Sequence, residues 1–94
     1  MIKSFNNKSA EAIFKGQNPR KGFPPNLVRP VRRKLIMLNA AITLDDLRSP
    51  PSNHLEKLEG DRKGQHSIRV NDQFRICFLW TGIDAEEVEI TDYH

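Results

Sequence analysis

Ninety-four residues, 37% of them hydrophobic, suffice for one modest core and a single domain spanning 1–94. No apolar run is long enough to cross a bilayer, and the opening MIKSFNNKSAEAIFK lacks the features of a secretory leader. The single Cys77 excludes an internal disulfide and a zinc finger or ribbon, so a cytoplasmic protein without membrane contact is expected. The net charge of +3 is unevenly spread: residues 1–38 carry nine Lys/Arg and one acid (+8), residues 39–94 six Lys/Arg and eleven acids (−5). That division suits a basic surface for a polyanion or an acidic partner, or a basic helix cancelled by an acidic strand.

In chain order, Met1 to Phe5 alternates apolar and polar and reads as a short strand. Asn7 or Ser9 can cap a helix reaching about Lys15, with Ala10, Ile13 and Phe14 on one side and Gly16 ending it. Gln17 to Pro25 is a Pro/Gly loop carrying Arg20 and Lys21. Asn26 can cap a second helix to about Ala41, with Leu27, Val31, Leu35, Leu38 and Ile42 as its buried stripe. Pro30 fits only its first turn. Arg29, Arg32, Arg33 and Lys34 fill the rest of the circumference. Such a face is commonly just solvated, but a helix this poor in acids forgoes ordinary i,i+4 ion pairs and is suited to an anionic ligand. Thr43 to Leu47 reads as a capped turn with Asp46 in the capping-box position. Leu55 to Glu59 reads as a strand, Gly60 to Gly64 as a turn, and Ala85 to Thr91 as a last strand alternating Val88 and Ile90 against Glu87 and Glu89.

The most strand-like stretch is Gly60 to Trp80, GDRKGQHSIRVNDQFRICFLW. Its two runs, His66–Val70 and Phe74–Trp80, flank turn chemistry at Asn71-Asp72-Gln73. Opposed residues of an antiparallel pair share a face, so only an odd loop keeps the apolar sets together. A three-residue loop puts Val70 opposite Phe74, Ile68 opposite Ile76 and Arg69 opposite Arg75, on the non-core side. Either solvent and the acids Glu87 and Glu89 neutralise this pair, or the two guanidinium forks clamp a phosphate. Phe78 and Trp80 are expected in the core, Cys77 on the arginine face. His66 is expected to pack and His54 to lie in an exposed loop. The expected architecture is α+β, an antiparallel-dominated sheet of about five strands with the N-terminal helices on one face.

These residues resemble a known family. LEKLEGDRKGQHSIRVNDQFRICFLW, the terminal EITDYH, the opening MIKSF, the RKLIMLNAA helix and LDDLRSPP are similar to the HigB branch of the RelE/ParE toxin superfamily, over nearly the whole chain. The resemblance implies a RelE-like fold and a ribosome-dependent mRNA endonuclease, using no cofactor and no metal. In such toxins the 2′-OH of the substrate attacks the adjacent phosphate. It also implies a HigA-type helix-turn-helix antitoxin as partner, with operator DNA bound only through that antitoxin, and the ribosome and mRNA as targets. Carried onto this chain, the catalytic residues are Arg75, Asp92, Tyr93 and His94. Arg69, Lys57, Arg62, Lys63, Arg29, Arg32 and Arg33 are the expected RNA or phosphate contacts. Glu56 and Glu59 stand where some HigB toxins carry a histidine and a lysine; His54 and Lys57 are the alternatives nearby. Strand alternation puts Asp92 and His94 on the side of Val88 and Ile90, so His94 reaches the arginines only through a bulge or break near the strand end. The competing class is a ParE-like inhibitor that binds DNA gyrase without chemistry of its own.

Overall fold

The central hairpin closes on a side chain. In the computed structural model, which describes residues 1–92, the Asn71 Oδ1 accepts hydrogen bonds from the backbone N–H of Gln73 (2.9 Å) and Phe74 (2.7 Å). This Asx arrangement replaces the left-handed glycine that a three-residue hairpin loop ordinarily uses. The strands on either side, β2 (Gln65–Arg69) and β3 (Phe74–Trp80), pair in the expected register, with Ile68 opposite Ile76 and Arg69 opposite Arg75.

On one side of the hairpin lies β1 (Glu56–Lys57), on the other β4 (Ala85–Asp92), giving a four-stranded antiparallel sheet in the order β1-β2-β3-β4. The expectation of about five strands is corrected here. The chain around Met1 to Asn6 does run beside β4, in parallel, but bridges it only at Ile2–Ala85 and Phe5–Val88. The cause is a bulge in β4. Cys77 pairs with Glu89 and Leu79 with Glu86, so Glu87 and Val88 together oppose Phe78, and Glu87 takes a left-handed φ of 50°. Its N–H donates to the Ser4 Oγ (2.9 Å) instead of continuing a ladder.

Helix α1 (Lys8–Phe14) is capped by Asn7, whose Oδ1 accepts from the Ala10 N–H at 3.2 Å. Gly16 follows it with φ 77°, the left-handed backbone that lets the N–H of Gly16 and of Gln17 close the last turn on Ile13 and Ala12. Helix α2 (Val28–Ala40) is entered through a 3₁₀ turn over Pro25–Leu27 rather than from an Asn26 cap. Pro30 falls in its first turn, as required. Val31, Leu35 and Leu38 pack with Ile13, Leu27 and Leu47 onto Ile68, Ile76, Phe78, Ala85 and Val88 of the sheet. Ile42 is the exception to the expected stripe: it is 78% exposed, because the helix stops at Ala40 and Ala41 takes the buried place. Trp80 packs against the core from its margin. No helix among the described residues is long and apolar enough to cross a membrane.

The Leu44–Arg48 turn carries the expected capping box between Thr43 and Asp46. Hydrogen bonds from the backbone N–H of Thr43 and then of Ile42 hold the Asp46 carboxyl below its ordinary 3.8. A depressed carboxyl stabilises the fold fully above the unfolded value and loses that contribution as pH falls through the native one. Denaturant melts of Asp46→Ala are therefore expected to show a stability deficit at neutral pH that shrinks steadily toward pH ~2.

Candidate active site on the polar face of the sheet

The side chains of the sheet that do not meet the helices are mostly polar, Leu79 being an exception, and they are arranged in rungs. Register places Glu56, Ser67, Cys77 and Glu89 in one rung, and Arg69, Arg75 and Thr91 in the next. Arg75 is 8% exposed, far less than a solvent-facing arginine. Its Nε donates to the Ser67 Oγ at 2.7 Å, and one Nη2 hydrogen goes to the His54 backbone carbonyl, also at 2.7 Å. The Glu56 carboxylate stands 3.9 Å from Nη2, a neighbouring negative charge rather than a hydrogen bond. A guanidinium keeps its charge and its planar fork, so these partners fix both where the charge lies and how it points.

The expected arginine pair shares a face but not a target. Arg69 turns back to the hairpin loop, donating to the Asn71 carbonyl (3.2 Å) and pairing with the Asp72 carboxylate. Repulsion between the two is relieved because their guanidinium groups leave in different directions. The two guanidinium groups thus have different partners, and of the two Arg75 is the buried one. Of the acids expected to neutralise the pair, Glu87 is exposed at the bulge. Glu89 instead takes Arg62, which folds over from the Gly60–Arg62 turn and also donates to the Gln65 Oε1 at 3.0 Å.

The other expected contacts divide by burial. Arg29, Arg33, Lys57 and Lys63 are exposed. Arg32 is instead a tie between helices: its Nε donates to the Ile13 carbonyl near the end of α1 at 3.0 Å. Asp92 pairs with Phe74, and its Oδ2 accepts from the Gln73 Nε2 at 3.0 Å, so it belongs to the face opposite Arg75. The bulge of β4 lies upstream at Glu86–Val88, and pairing is regular from Glu89 to Asp92. Tyr93 and His94 lie outside the described residues. Thr91, beside Arg75, has its Oγ1 buried without a hydrogen-bond partner.

Two histidines take distinct places. His66 stacks on Phe78 with ring centroids 6.2 Å apart, and burial followed by the charge of Lys57 lowers it below its ordinary 6.5. It is a packed residue, as expected. His54 is exposed in side chain, but its carbonyl is a ligand of Arg75 and its backbone is left-handed, φ 44°. Sequence reasoning placed it in an exposed loop, as an alternative to the histidine and lysine of other HigB toxins, and did not foresee its carbonyl on Arg75. The link joins residues 21 positions apart through main chain, which no local pattern reveals.

A small α+β domain with one face of its sheet on helices and a buried arginine on the other is the class defined by this geometry. The family profile described as "RelE-like toxin of type II toxin-antitoxin system HigB" matches residues 3–94. The chain is 40% identical to Toxin HigB-1 of Vibrio cholerae over 80 residues, 85% of this chain and 84% of that one. It is 32% identical to Endoribonuclease HigB of Proteus vulgaris over the full length of both. Its fold is similar to a chain of the YoeB-YefM complex from Staphylococcus aureus, with a TM-score of 0.56 at 16% identity, covering 100% of this chain and 98% of that one. The protein belongs to the HigB-like family of RelE-like toxins.

Removing the Ser67 hydroxyl leaves a buried guanidinium N–H without its acceptor. Ser67→Ala is expected to lower folding stability by about 1–3 kcal/mol, measured by urea denaturation, a larger loss than a buried Ser→Ala without such a partner produces.

Proposed function

We propose that this toxin is a cytoplasmic endoribonuclease that cuts mRNA on the translating ribosome and is held inactive by a HigA-type antitoxin. The observation that carries the reading is the Arg75 guanidinium, immobilised by the Ser67 hydroxyl and the His54 carbonyl on the polar face. The name of the Proteus vulgaris relative supports the activity.

In the proposed reaction the 2′-oxygen of the RNA bonds to the adjacent phosphorus, the 5′-oxygen leaves, and a cyclic phosphate and a 5′-hydroxyl result. A base accepts the 2′ proton and an acid returns one to the leaving oxygen. Negative charge grows on the non-bridging oxygens as the bond forms. A cation already in place answers that charge without reorganising, the largest single contribution an active site of this kind makes. Arg75 supplies it. His54, whose carbonyl holds Arg75, is assigned the proton transfer through its exposed imidazole. Tyr93 and His94, the two residues that follow β4 in sequence, are assigned to the same reaction. Asp92, paired with Gln73 on the other side, is assigned to holding that terminal segment.

The exposed Arg29, Arg33, Lys57 and Lys63 are assigned to phosphates of mRNA and ribosomal RNA, contacts that weaken as salt rises. No metal and no cofactor enters this scheme. Operator DNA is reached only through the antitoxin. The gyrase-binding alternative gives no role to an arginine immobilised beside a histidine.

Arg75→Ala is expected to abolish growth arrest and to reduce the cleavage rate by at least ~10²-fold, with the circular dichroism of the folded domain retained. His54→Ala should lower the rate by about 10²–10⁴-fold, as loss of a general acid or base does. Mapping mRNA 5′ ends after induction checks both. Codon-phased cuts with the wild type and none with Arg75→Ala are the expected outcome. DNA damage without cuts would instead identify a gyrase inhibitor.

A further inference from the structure

One buried carboxamide fixes the turn that reaches Arg75. Asn53 is fully buried, between the Leu44–Arg48 turn and the sheet. Its Nδ2 donates to the Leu47 carbonyl at 3.0 Å and lies 3.1 Å from the Met37 Sδ, with the Ser49 carbonyl at 3.5 Å. Its Oδ1 accepts from the Lys34 Nζ. Both ends of the amide are thus engaged, one by loop carbonyls and the other by α2. Burial, then the charge of Arg33, lowers the Lys34 ammonium below its ordinary 10.5, as expected of a cation drawn in to make this contact. The backbone N–H of Asn53 and of His54 also close on Pro50 (2.9 Å) and Pro51 (3.1 Å).

What this latch holds is unusual. Directly after it, His54 adopts φ 44° and ψ 55°, left-handed backbone that a non-glycine residue adopts only where its surroundings impose it. In that conformation its carbonyl meets Arg75 Nη2. The bent backbone delivers the His54 carbonyl to the guanidinium while its imidazole stays exposed, and Asn53 is what keeps it bent.

We propose that Asn53, backed by Lys34, is a positioning residue for RNA cleavage, locking the Pro51–His54 turn so that the His54 carbonyl holds Arg75 and the exposed imidazole is carried on a fixed backbone. The inference rests on the nuclease reading above. It connects the basic helix to the polar face: Lys34 bonds the Asn53 amide, and the carbonyl of the next residue, His54, accepts from Arg75.

The test uses the full-length toxin on mRNA-programmed ribosomes, with the maximal cleavage rate and the half-saturating ribosome concentration measured separately. Asn53→Ala should lower the maximal rate at least ~10-fold with half-saturation unchanged, since misplacing a reacting group by about 1 Å costs up to ~10²-fold. In the His54→Ala background the same substitution should cause a clearly smaller loss, because the imidazole is already gone and only the hold of the residue-54 carbonyl on Arg75 remains to be disturbed. Lys34→Met, which reaches the latch from α2, should show the same pattern in milder form if Asn53→Ala folds poorly, and Lys34→Arg should restore most of the rate. Equal losses from Asn53→Ala in both backgrounds, or a lowered melting temperature with an unchanged rate per folded molecule, would overturn the proposal. Full activity in His54→Ala would remove the nuclease role of His54 itself, and this inference with it. Full activity in Asn53→Ala beside a crippled His54→Ala would overturn this inference alone.

Discussion

A charged guanidinium buried in a small domain is the constraint around which the polar face is built. Taking Arg75 out of water is costly unless its N–H groups are met, and two of them go to a hydroxyl from β2 and a carbonyl from the 51–54 turn. Those two partners need β2 and β3 in one register only, and they need the turn to fold over the edge of the sheet beside β1. The Asn71 Asx loop secures the first condition and the Asn53 latch the second. Two asparagines, neither of them on the site itself, therefore decide where the charge sits.

The helices serve the same end from the other side. Ile13, Val31, Leu35 and Leu38 cover Ile68, Ile76, Phe78 and Val88, leaving the alternate residues of the same strands for polar work. Period-2 alternation makes the two roles inseparable: a one-residue slip of β3 would bury Cys77 in the helical core and send Ile76 to the polar face. The bulge at Glu87 absorbs the one irregularity in β4 upstream of the site, so that the rungs from Glu89 to Asp92 stay in step with β3. It also breaks the ladder with the N-terminal segment, which joins the sheet by two bridges only.

Much of this was legible in the sequence because it depends on local patterns. The hairpin register followed from keeping Ile68 and Ile76 on one face, and the Arg69–Arg75 pair came with it. The Thr43–Asp46 box and the Asn7 cap lie within three residues of what they cap. Other features were not legible, because they depend on contacts between distant residues. The burial of Arg75 requires the His54 carbonyl, which sequence reasoning had no means of placing. Arg32 reads as part of a basic face but spans to the Ile13 carbonyl, and Arg62 reads as an exposed turn residue but pairs with Glu89. Ile42 continues the helical spacing of Leu35 and Leu38, yet the helix ends two residues before it. The family resemblance supplied the functional class, and the profile match confirmed the family; the geometry then concentrated the proposed chemistry on Arg75 and His54.

The central claim is that a preorganised Arg75 meets the scissile phosphate. A cryo-electron microscopy structure of the toxin on a ribosome carrying mRNA blocked by a 2′-O-methyl group at the cleavage site tests it directly. The account predicts a non-bridging phosphate oxygen about 2.7–3.1 Å from the Arg75 guanidinium, with the bonds to Ser67 and the His54 carbonyl intact. An mRNA path over another face of the domain, or an Arg75 that keeps its internal bonds and stays remote from the phosphate, would contradict it.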